Sequence, residues 1–290
     1  VALPIGIYFL QNPQDFISRA APISVFAQES PVKAFLVSLI KHLGMFNVYG
    51  DPNWRHNFAT YPMLPIPLGI MFLIGIGFSV KKTIALIRSK SFVSANSFLL
   101  LIFWFFALLL PGVLTYEGLP HALRVIGVIP VVYIFTSIGI WRIYRIIKER
   151  FNKIIPITLI VIMVLSSASF EINRYFSDWG KRDEVKSSFN QSFMETGLFL
   201  NSLPEGMKKY VIKNEGELPV ETVTFIQRCA QKEEKTFYIS PDRIKEIEAG
   251  PEKTIIVFMR KDDHLLNEVK NIFPQGKFKE ENNIYTYIIN

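Results

Sequence analysis

The sequence predicts an α-helical transmembrane bundle followed by a small extracytoplasmic α/β domain, and three observations support this. Long apolar runs fill the first 170 residues, and apolar residues alternate with charged ones after Phe170. The 290 residues include 25 Phe, 50% are hydrophobic, and the mean hydropathy is +0.26, a composition typical of membrane proteins. We therefore expect a transmembrane region over 1–170 and a soluble domain over 171–290.

Four apolar runs are long enough to cross a bilayer as helices, since a spanning helix needs about 20 residues. Few charged residues interrupt them, and helices satisfy their own backbone hydrogen bonds, as a segment inside lipid must. The alternative is a buried bundle of a soluble protein, which fits poorly with four such runs in series. The predicted spans are 63–80, 96–115, 125–141 and 154–170.

Basic residues predict the orientation. Lysine and arginine collect in the segments after the first and third spans, whereas 116–124 holds one arginine and one glutamate. The positive-inside rule therefore places the two basic segments in the cytoplasm of a multi-pass cell-membrane protein. Residues 11–62, 116–124 and 171–290 then lie outside. Because orientation accounts for much of the net charge of +7, no nucleic-acid partner is expected.

The N-terminal segment indicates a C-terminal fragment of a longer protein. Residues 1–10 are typical of the end of a hydrophobic helix, too short to span and without the basic start of a signal peptide. Residues 31–46 have the apolar spacing of an amphipathic helix. That helix either lies in the membrane interface or packs on the bundle, and the two alternatives are compatible.

The C-terminal domain has the alternation of a small, mainly parallel α/β sheet. Short β-rich runs occur at 210–213, 236–240, 254–259 and 284–289, and a long helix is predicted over 184–203. Further helices are predicted at 220–232, 242–248 and 262–272. No glycine-rich phosphate loop follows any strand, so a nucleotide site is not expected.

The first polar loop, residues 47–63, has the most unusual sequence. Asp51, Asn53, Arg55 and His56 lie within a few positions of one another, directly before an apolar span. A guanidinium beside an imidazole at a membrane surface suits a phosphate or a sugar. The alternative is a structured loop whose side chains bond to one another.

The second polar loop, residues 116–124, runs into the third span. His121 and Arg124 are three residues apart and share a face if a helix begins near Pro120. Arg124 at membrane depth needs a partner, for which a lipid phosphate, Glu117 and Asp51 are candidates. The alternative is an arginine that extends to the interface.

Other chemistry has little support in the sequence. Arg19 is a minor site candidate, because Asp15 is placed to form a helix ion pair with it. The single cysteine, Cys229, excludes an intramolecular disulfide. The four histidines are scattered without metal-ligand spacing, so neither a metal nor a cofactor is expected.

Several motifs resemble those of one family. They are Asp15-Phe-Ile-Ser-Arg19, Lys41-His-Leu-Gly-Met-Phe-Asn47, Gly50-Asp-Pro-Asn-Trp-Arg-His-Asn57 with Pro62-Met-Leu64, and Pro120-His-Ala-Leu-Arg124 with Gly127 and Pro130. They are similar to bacterial polytopic glycosyltransferases of the protein O-mannosyltransferase and aminoarabinose transferase superfamily, which have the GT-C fold. The Gly50–Asn57 run is the most specific of these motifs, and the resemblance weakens after Glu171.

The resemblance implies a transferase that moves a sugar from a polyprenyl-phosphate-sugar to a glycan, lipid or protein acceptor outside the membrane. In that family the acidic catalytic residue lies in an earlier outer loop, so no catalytic residue is assigned in this sequence. We expect Arg55, His56, His121 and Arg124 to bind the donor phosphate or sugar, supported by Asp51, Asn53, Glu117 and Arg19.

The alternative function is a non-enzymatic membrane transporter or lipid-handling protein. Transporters tend to carry charged or broken helices near the bilayer midplane. The spans here are clean apart from Pro111-Gly112 near an outer end, and the polar clusters lie outside them. That pattern favours chemistry at the membrane surface. A receptor whose tail binds a ligand would leave both polar loops unexplained.

Overall fold

A computed structural model shows that the chain forms two compact units, Val1–Lys181 and Arg182–Asn290. The structure describes residues 3–204, 206–213, 220–231, 236–281 and 283–289. The division lies later than the predicted boundary at Phe170, because the last apolar helix continues into turns that belong to the first unit.

Helices make up most of the first unit. A 3-10 turn, Leu123–Val128, precedes the sixth helix, and a π-helical turn, Arg174–Asp178, follows the seventh. Further 3-10 turns are Val25–Ala27 and Trp179–Lys181, the last of which ends the unit. The helices are α1 Leu3–Gln11, α2 Pro13–Ala20, α3 Pro31–Gly44, α4 Ile66–Arg88, α5 Phe92–Val113, α6 Ile129–Lys148 and α7 Ile154–Asn173.

Four helices, α4 to α7, are long and apolar enough to cross a membrane. The prediction of four such helices and of a C-terminal sheet region is confirmed. Within the most apolar 18-residue windows, no more than 39% of the residues are buried inside the structure. Apolar surface left uncovered to this extent is typical of helices that meet lipid or a partner.

The helix ends differ from the predicted spans for local reasons. Pro67 lies in the first turn of α4 and Pro130 in that of α6, where proline preorganises a helix start. The third span, predicted from residue 125, therefore begins as a 3-10 turn and becomes α-helical at Ile129. The basic residues expected in loops, such as Lys81 and Arg142, lie instead inside the C-terminal parts of α4 and α6.

Close backbone contact joins α4 to α6. A Cβ atom built on Gly75 would lie 1.7 Å from the carbonyl oxygen of Phe135, and one on Gly139 would lie 1.9 Å from that of Met71. Only glycine fits at either position, as in the small-residue interfaces of membrane helices. Beside this contact, four buried phenylalanine rings form the centre of the apolar core: Phe46, Phe72, Phe105 and Phe135.

The second unit is a five-stranded mixed sheet with helices on both faces. The strands lie in the order β2-β1-β3-β5-β4. Strand β1 is parallel to β2 and β3, whereas β5 is antiparallel to β3 and β4. The elements are α8 Asp183–Ser188, α9 Gln191–Ser202, β1 Lys208–Ile212, α10 Val220–Cys229, β2 Thr236–Ile239, β3 Thr254–Phe258, α11 Asp263–Ile272, β4 Lys277–Glu281 and β5 Ile284–Ile289.

Central strand β3 has side chains buried on both faces. Ile256 and Phe258 pack in the cluster that includes α11, and Ile255 and Val257 pack in the one that includes α9 and α10. A strand covered on both faces is apolar throughout, which explains the run Thr-Ile-Ile-Val-Phe.

Three features of this unit differ from the prediction. The long helix over 184–203 is broken at Asn190, whose φ of 56° interrupts helical geometry. The segment predicted to be helical at 242–248 is a 3-10 turn, Pro241–Glu246. The sheet is mixed rather than mainly parallel, because β5 is antiparallel both to β3 and to the unpredicted strand β4.

Candidate functional site

The first polar loop is closed on itself by backbone contacts. The Gly50 N–H donates to the Thr60 carbonyl at 3.0 Å, and the Thr60 N–H donates to the Asp51 carbonyl at 3.0 Å. A Cβ atom at position 50 would lie 1.9 Å from the carbonyl oxygen of Tyr61, so glycine is required for this closure. The loop therefore has a defined conformation between α3 and α4.

Two side-chain turns shape the tip of this loop. Asp51 Oδ1 accepts from the Asn53 N–H at 2.8 Å, and Asn53 Oδ1 accepts from the Arg55 N–H at 2.9 Å. Asparagine and aspartate favour such turns because their short side chains reach the backbone two residues later. Asn53 thus supports the loop through its own side chain. Arg55 is exposed.

Asp51 joins the two polar loops. Its side chain is 1% exposed, and its Oδ2 atom lies 2.9 Å from His56 Nδ1. The same oxygen accepts a hydrogen bond from the Ala122 N–H of the second polar loop at 2.7 Å. The carboxylate is therefore saturated by groups from both loops, and it is not the partner of Arg124.

His121 completes a three-residue cluster with Asp51 and His56. The rings of His56 and His121 lie 4.7 Å apart between centroids. One donor atom from each of the three residues lies within 4.8 Å of one from each of the other two, a separation from which a metal ion is reachable. The spacing of these residues in the sequence gave no sign of this grouping.

His42, which the sequence analysis did not select, supports the second polar loop. It is fully buried on α3, and its Nδ1 lies 2.8 Å from the Ser38 carbonyl oxygen. Nδ1 is therefore the donor, which leaves Nε2 to accept from the His121 N–H at 3.2 Å. The buried stripe Ala34, Ser38 and His42, at helical spacing of four, was the available signal.

Burial keeps two of these imidazoles neutral at pH 7. It lowers the pKa of His42 below the ordinary value of 6.5. Burial likewise lowers the pKa of His121, and the positive charge of Arg124 lowers it further. A neutral imidazole offers a lone pair on one nitrogen, so His121 is suited to bind a proton donor or a cation.

Arg124 pairs with Glu117, one of its three candidate partners. Its Nη2 atom forms an ion pair with Glu117 Oε2, and its Nη1 atom donates to the Glu117 carbonyl at 3.1 Å. The glutamate side chain is 58% exposed, and ion pairs of this kind contribute little to stability. The guanidinium is therefore held by an exposed and weak ion pair.

The side chain of Arg19 lies outside the described part of the structure, although its backbone belongs to α2. Asp15, expected to pair with it, accepts a hydrogen bond from the Tyr8 hydroxyl.

An apolar cavity of about 240 Å³ opens beside His56. His56 and Tyr133 carry the polar side chains of its lining; the remaining lining residues are aliphatic or methionine apart from Phe46. They come from the segment between α3 and α4, the second polar loop, the 3-10 turn before α6 and α6 itself. The site thus combines a polar cluster with an adjoining apolar space.

A second cluster holds the first polar loop against the end of α7. The Arg174 guanidinium lies 4.0 Å from the ring centroid of Tyr61 and 5.7 Å from that of Phe58. The Trp179 indole N–H donates to the carbonyls of Trp54 at 3.0 Å and Asn57 at 3.2 Å. These contacts leave no pattern in the sequence, because they join segments more than a hundred residues apart.

Comparison of the chain with known protein families, with curated proteins and with solved structures gave no match.

Proposed function

We propose that the protein is a membrane glycosyltransferase that transfers a sugar from a polyprenyl-phosphate-sugar to an acceptor outside the cytoplasmic membrane. One observation carries the proposal: two polar loops, joined through Asp51 and Ala122, lie beside an apolar cavity at His56. A lipid-phosphate donor requires these two environments next to each other, one for its isoprenoid chain and one for its anionic head.

Arg124 is the residue proposed to act on the phosphate. As the bond between the sugar and the phosphate breaks, negative charge grows on the phosphate oxygen. A positioned guanidinium stabilises that charge more in the transition state than in the ground state. The exposed Glu117 occupies Arg124 and exchanges with the phosphate when the donor binds.

His56 and His121 are proposed to contact the donor from the other side of the polar cluster. Asp51 holds His56 in one orientation, and His42 holds the His121 backbone. Such support keeps binding groups in place before the ligand arrives, which reduces the cost of ordering them. The proposal assigns Arg55 a peripheral role at the exposed face of the loop, and no described residue is assigned as the catalytic carboxylate.

In this proposal α4 to α7 cross the cell membrane, with the basic ends of α4 and α6 in the cytoplasm. The polar loops then lie at the outer surface, since each precedes the N-terminal end of one of those two helices. The second unit follows α7 and is extracytoplasmic.

Transfer activity of an Arg124 variant tests the proposal. We expect Arg124→Ala to lower transfer by about 10²- to 10³-fold, the usual cost of removing one group that stabilises developing charge. Transfer is measured in membranes that contain the full-length protein and its native acceptor, with polyprenyl phosphate carrying radiolabelled mannose or aminoarabinose. Arg88→Ala, at the opposite end of α4, is the matched control and retains activity.

Wild-type transfer by a properly inserted Arg124→Ala variant would contradict the assignment. Binding of polyprenyl phosphate by the wild type without transfer of any sugar would instead favour a lipid-handling protein.

A further inference from the structure

The second unit has an open apolar cavity on one face of its sheet. On this face, Val211 of β1 and Val257 of β3 pack in the cluster that includes α9 and α10. Where β5 and β4 continue the sheet beyond β3, the same face and α9 enclose a cavity of about 580 Å³. Sites for small molecules usually measure about 300–1,000 Å³, so this space, the α9 cavity, is large enough for a ligand.

The walls of the α9 cavity are mainly apolar. Phe199 of α9 and Leu203, which follows that helix, form one side, and Ile255, Ile284 and Ile288 of the strands form another. Apolar walls favour a ligand whose own surface is apolar, because both surfaces leave water on binding. An alkyl chain meets this requirement, whereas a sugar or a nucleotide does not.

Strand β5 sets the length of the apolar wall. Ile284, Thr286 and Ile288 line the cavity and span about 13 Å, since a strand rises about 3.3 Å per residue. The Thr286 hydroxyl donates to the Lys279 carbonyl at 3.0 Å, so it needs no hydrogen-bond partner from a ligand. An extended alkyl chain of roughly ten carbons has this length, because each C–C bond of about 1.5 Å advances along a zigzag.

The charged residues of the lining make the two ends of the cavity different. Lys279 forms an ion pair with Glu281, which is opposite Ile284 in the sheet. The exposed Lys253 directly precedes β3 and lies at the other end, near Ile288. In the described part of the second unit, no carboxylate forms an ion pair with the Lys253 ammonium. One uncompensated positive charge is therefore present at one end of an apolar space.

We propose that the α9 cavity binds a single-chain aliphatic carboxylate of roughly ten carbons. Its head contacts the Lys253 ammonium, and its chain runs along β5 towards Ile284. Two lysines and one glutamate leave one net positive charge in the lining, which matches a carboxylate better than a doubly charged phosphate ester. Burial of the chain supplies most of the affinity, and the ammonium fixes its direction.

This binding does not depend on the glycosyltransferase assignment, because every residue of the lining belongs to the second unit. A protein that binds the carboxylate without transferring sugar would contradict only the proposed function. A protein that transfers sugar without binding the carboxylate would contradict only the present proposal.

Uptake of decanoate tests the site. The full-length protein is transferred from detergent into amphipol, because free detergent would compete for an apolar cavity, and saturable binding of radiolabelled decanoate is measured by equilibrium dialysis. We expect one decanoate per chain and an affinity about fourfold higher for each methylene added from hexanoate to decanoate. Decanol, which has the same chain without the charge, should bind about tenfold more weakly.

Lys253→Glu is the decisive variant. Because Lys253 is exposed, its replacement should leave the fold intact. Reversal of the charge should weaken decanoate binding by about tenfold and leave decanol binding unchanged. Lys270→Glu is the matched control, since Lys270 is exposed on α11 at the opposite face of the sheet, and it should bind decanoate as the wild type does.

A photoreactive decanoate shows where the chain is bound. With a diazirine near the methyl end, irradiation should attach the label to the β5 peptide around Ile284, and an excess of decanoate should prevent this. The modified peptide is found by mass spectrometry after digestion of the full-length protein.

Four results would overturn the proposal. They are an absence of saturable decanoate uptake, uptake that Lys253→Glu does not weaken, decanol binding as tight as that of decanoate, and label confined to peptides of the first unit. Self-association that Lys253→Glu abolishes, without decanoate uptake, would assign the cavity to a second copy of the chain instead.

Discussion

At the scale of single residues, Asp51 determines whether the candidate site exists. It is the buried carboxylate that bonds to the backbone of Asn53 within its own loop and to Ala122 in the other loop. It also orients His56. One short side chain therefore stabilises the turn in the first polar loop, joins the two loops and orients the His56 imidazole.

Replacement of Asp51 should destabilise the first unit. Asp51→Ala leaves buried donors without an acceptor, at a cost of about 1–3 kcal/mol for each unsatisfied group. We expect a lower Tm for the variant in detergent, measured by intrinsic tryptophan fluorescence. Glu29→Gln, at an exposed position, is the control and should leave Tm unchanged. An unchanged Tm for Asp51→Ala would mean that the two loops are held together by other contacts.

The residue types of the site were predictable, but their pairing was not. Charged and imidazole groups are unusual beside apolar spans, and this made four residues candidates: Asp51, His56, His121 and Arg124. The bond from the Ala122 N–H to Asp51 joins residues 71 positions apart and involves a backbone group that any residue supplies. Periodicity carries no information about such a contact.

At the scale of elements, α4 and α6 depend on two glycines that face each other's backbone. Gly75 and Gly139 permit an approach that any side chain would prevent. Both helices begin next to the polar loops. The distance between the two helices therefore helps to set the relative position of the two loops. Apolar length predicted that these helices exist, whereas their close contact required the three-dimensional structure.

Enlarging one of these glycines should force the two helices apart. Gly139→Val inserts a branched side chain against the Met71 carbonyl, and overpacking of this kind costs about 1–3 kcal/mol. We expect a lower Tm and less folded protein by size-exclusion chromatography. The matched control is Gly77→Val, because nothing lies within 4 Å of a Cβ at position 77. Equal behaviour of the two variants would contradict the close contact.

Strand β4 of the second unit was not predicted, because its sequence lacks the apolar pattern by which strands are recognised. Strand β4, Lys-Phe-Lys-Glu-Glu, has one apolar residue and is otherwise polar, because it lies at the edge of the sheet. Edge strands tolerate charge on their open side, which removes the hydrophobic signal. Central strand β3, buried on both faces, was predicted within one residue of its ends.

At the scale of the whole molecule, orientation in the membrane remains a prediction that one residue can test. The chain has a single cysteine, Cys229, and it is exposed in the second unit. If that unit is extracytoplasmic, a membrane-impermeant maleimide should label Cys229 in intact spheroplasts. Labelling is measured by the mass shift of the purified protein.

A cysteine moved to the opposite side of the membrane is the control for labelling. In a Cys229→Ser, Ser89→Cys double variant, the thiol lies at the basic end of α4, where Ser89 is exposed. That variant should be labelled only after the membrane is permeabilised. The reverse pattern would place the polar loops in the cytoplasm and remove the proposed site from the outer surface.

The contacts of Arg174 and Trp179 have a practical consequence for anyone who shortens this protein. A truncation at Phe170, where the apolar run stops, would delete the guanidinium that lies over Tyr61 and the indole that bonds to Trp54 and Asn57. The histidine-bearing segment would then lose these contacts even though every apolar run stayed intact and α7 lost only its last three residues. A stop codon placed after Lys181 keeps both contacts. We therefore expect the protein that ends at Lys181 to retain the proposed lipid-phosphate ligand better than the protein that ends at Phe170, with similar yields of the two.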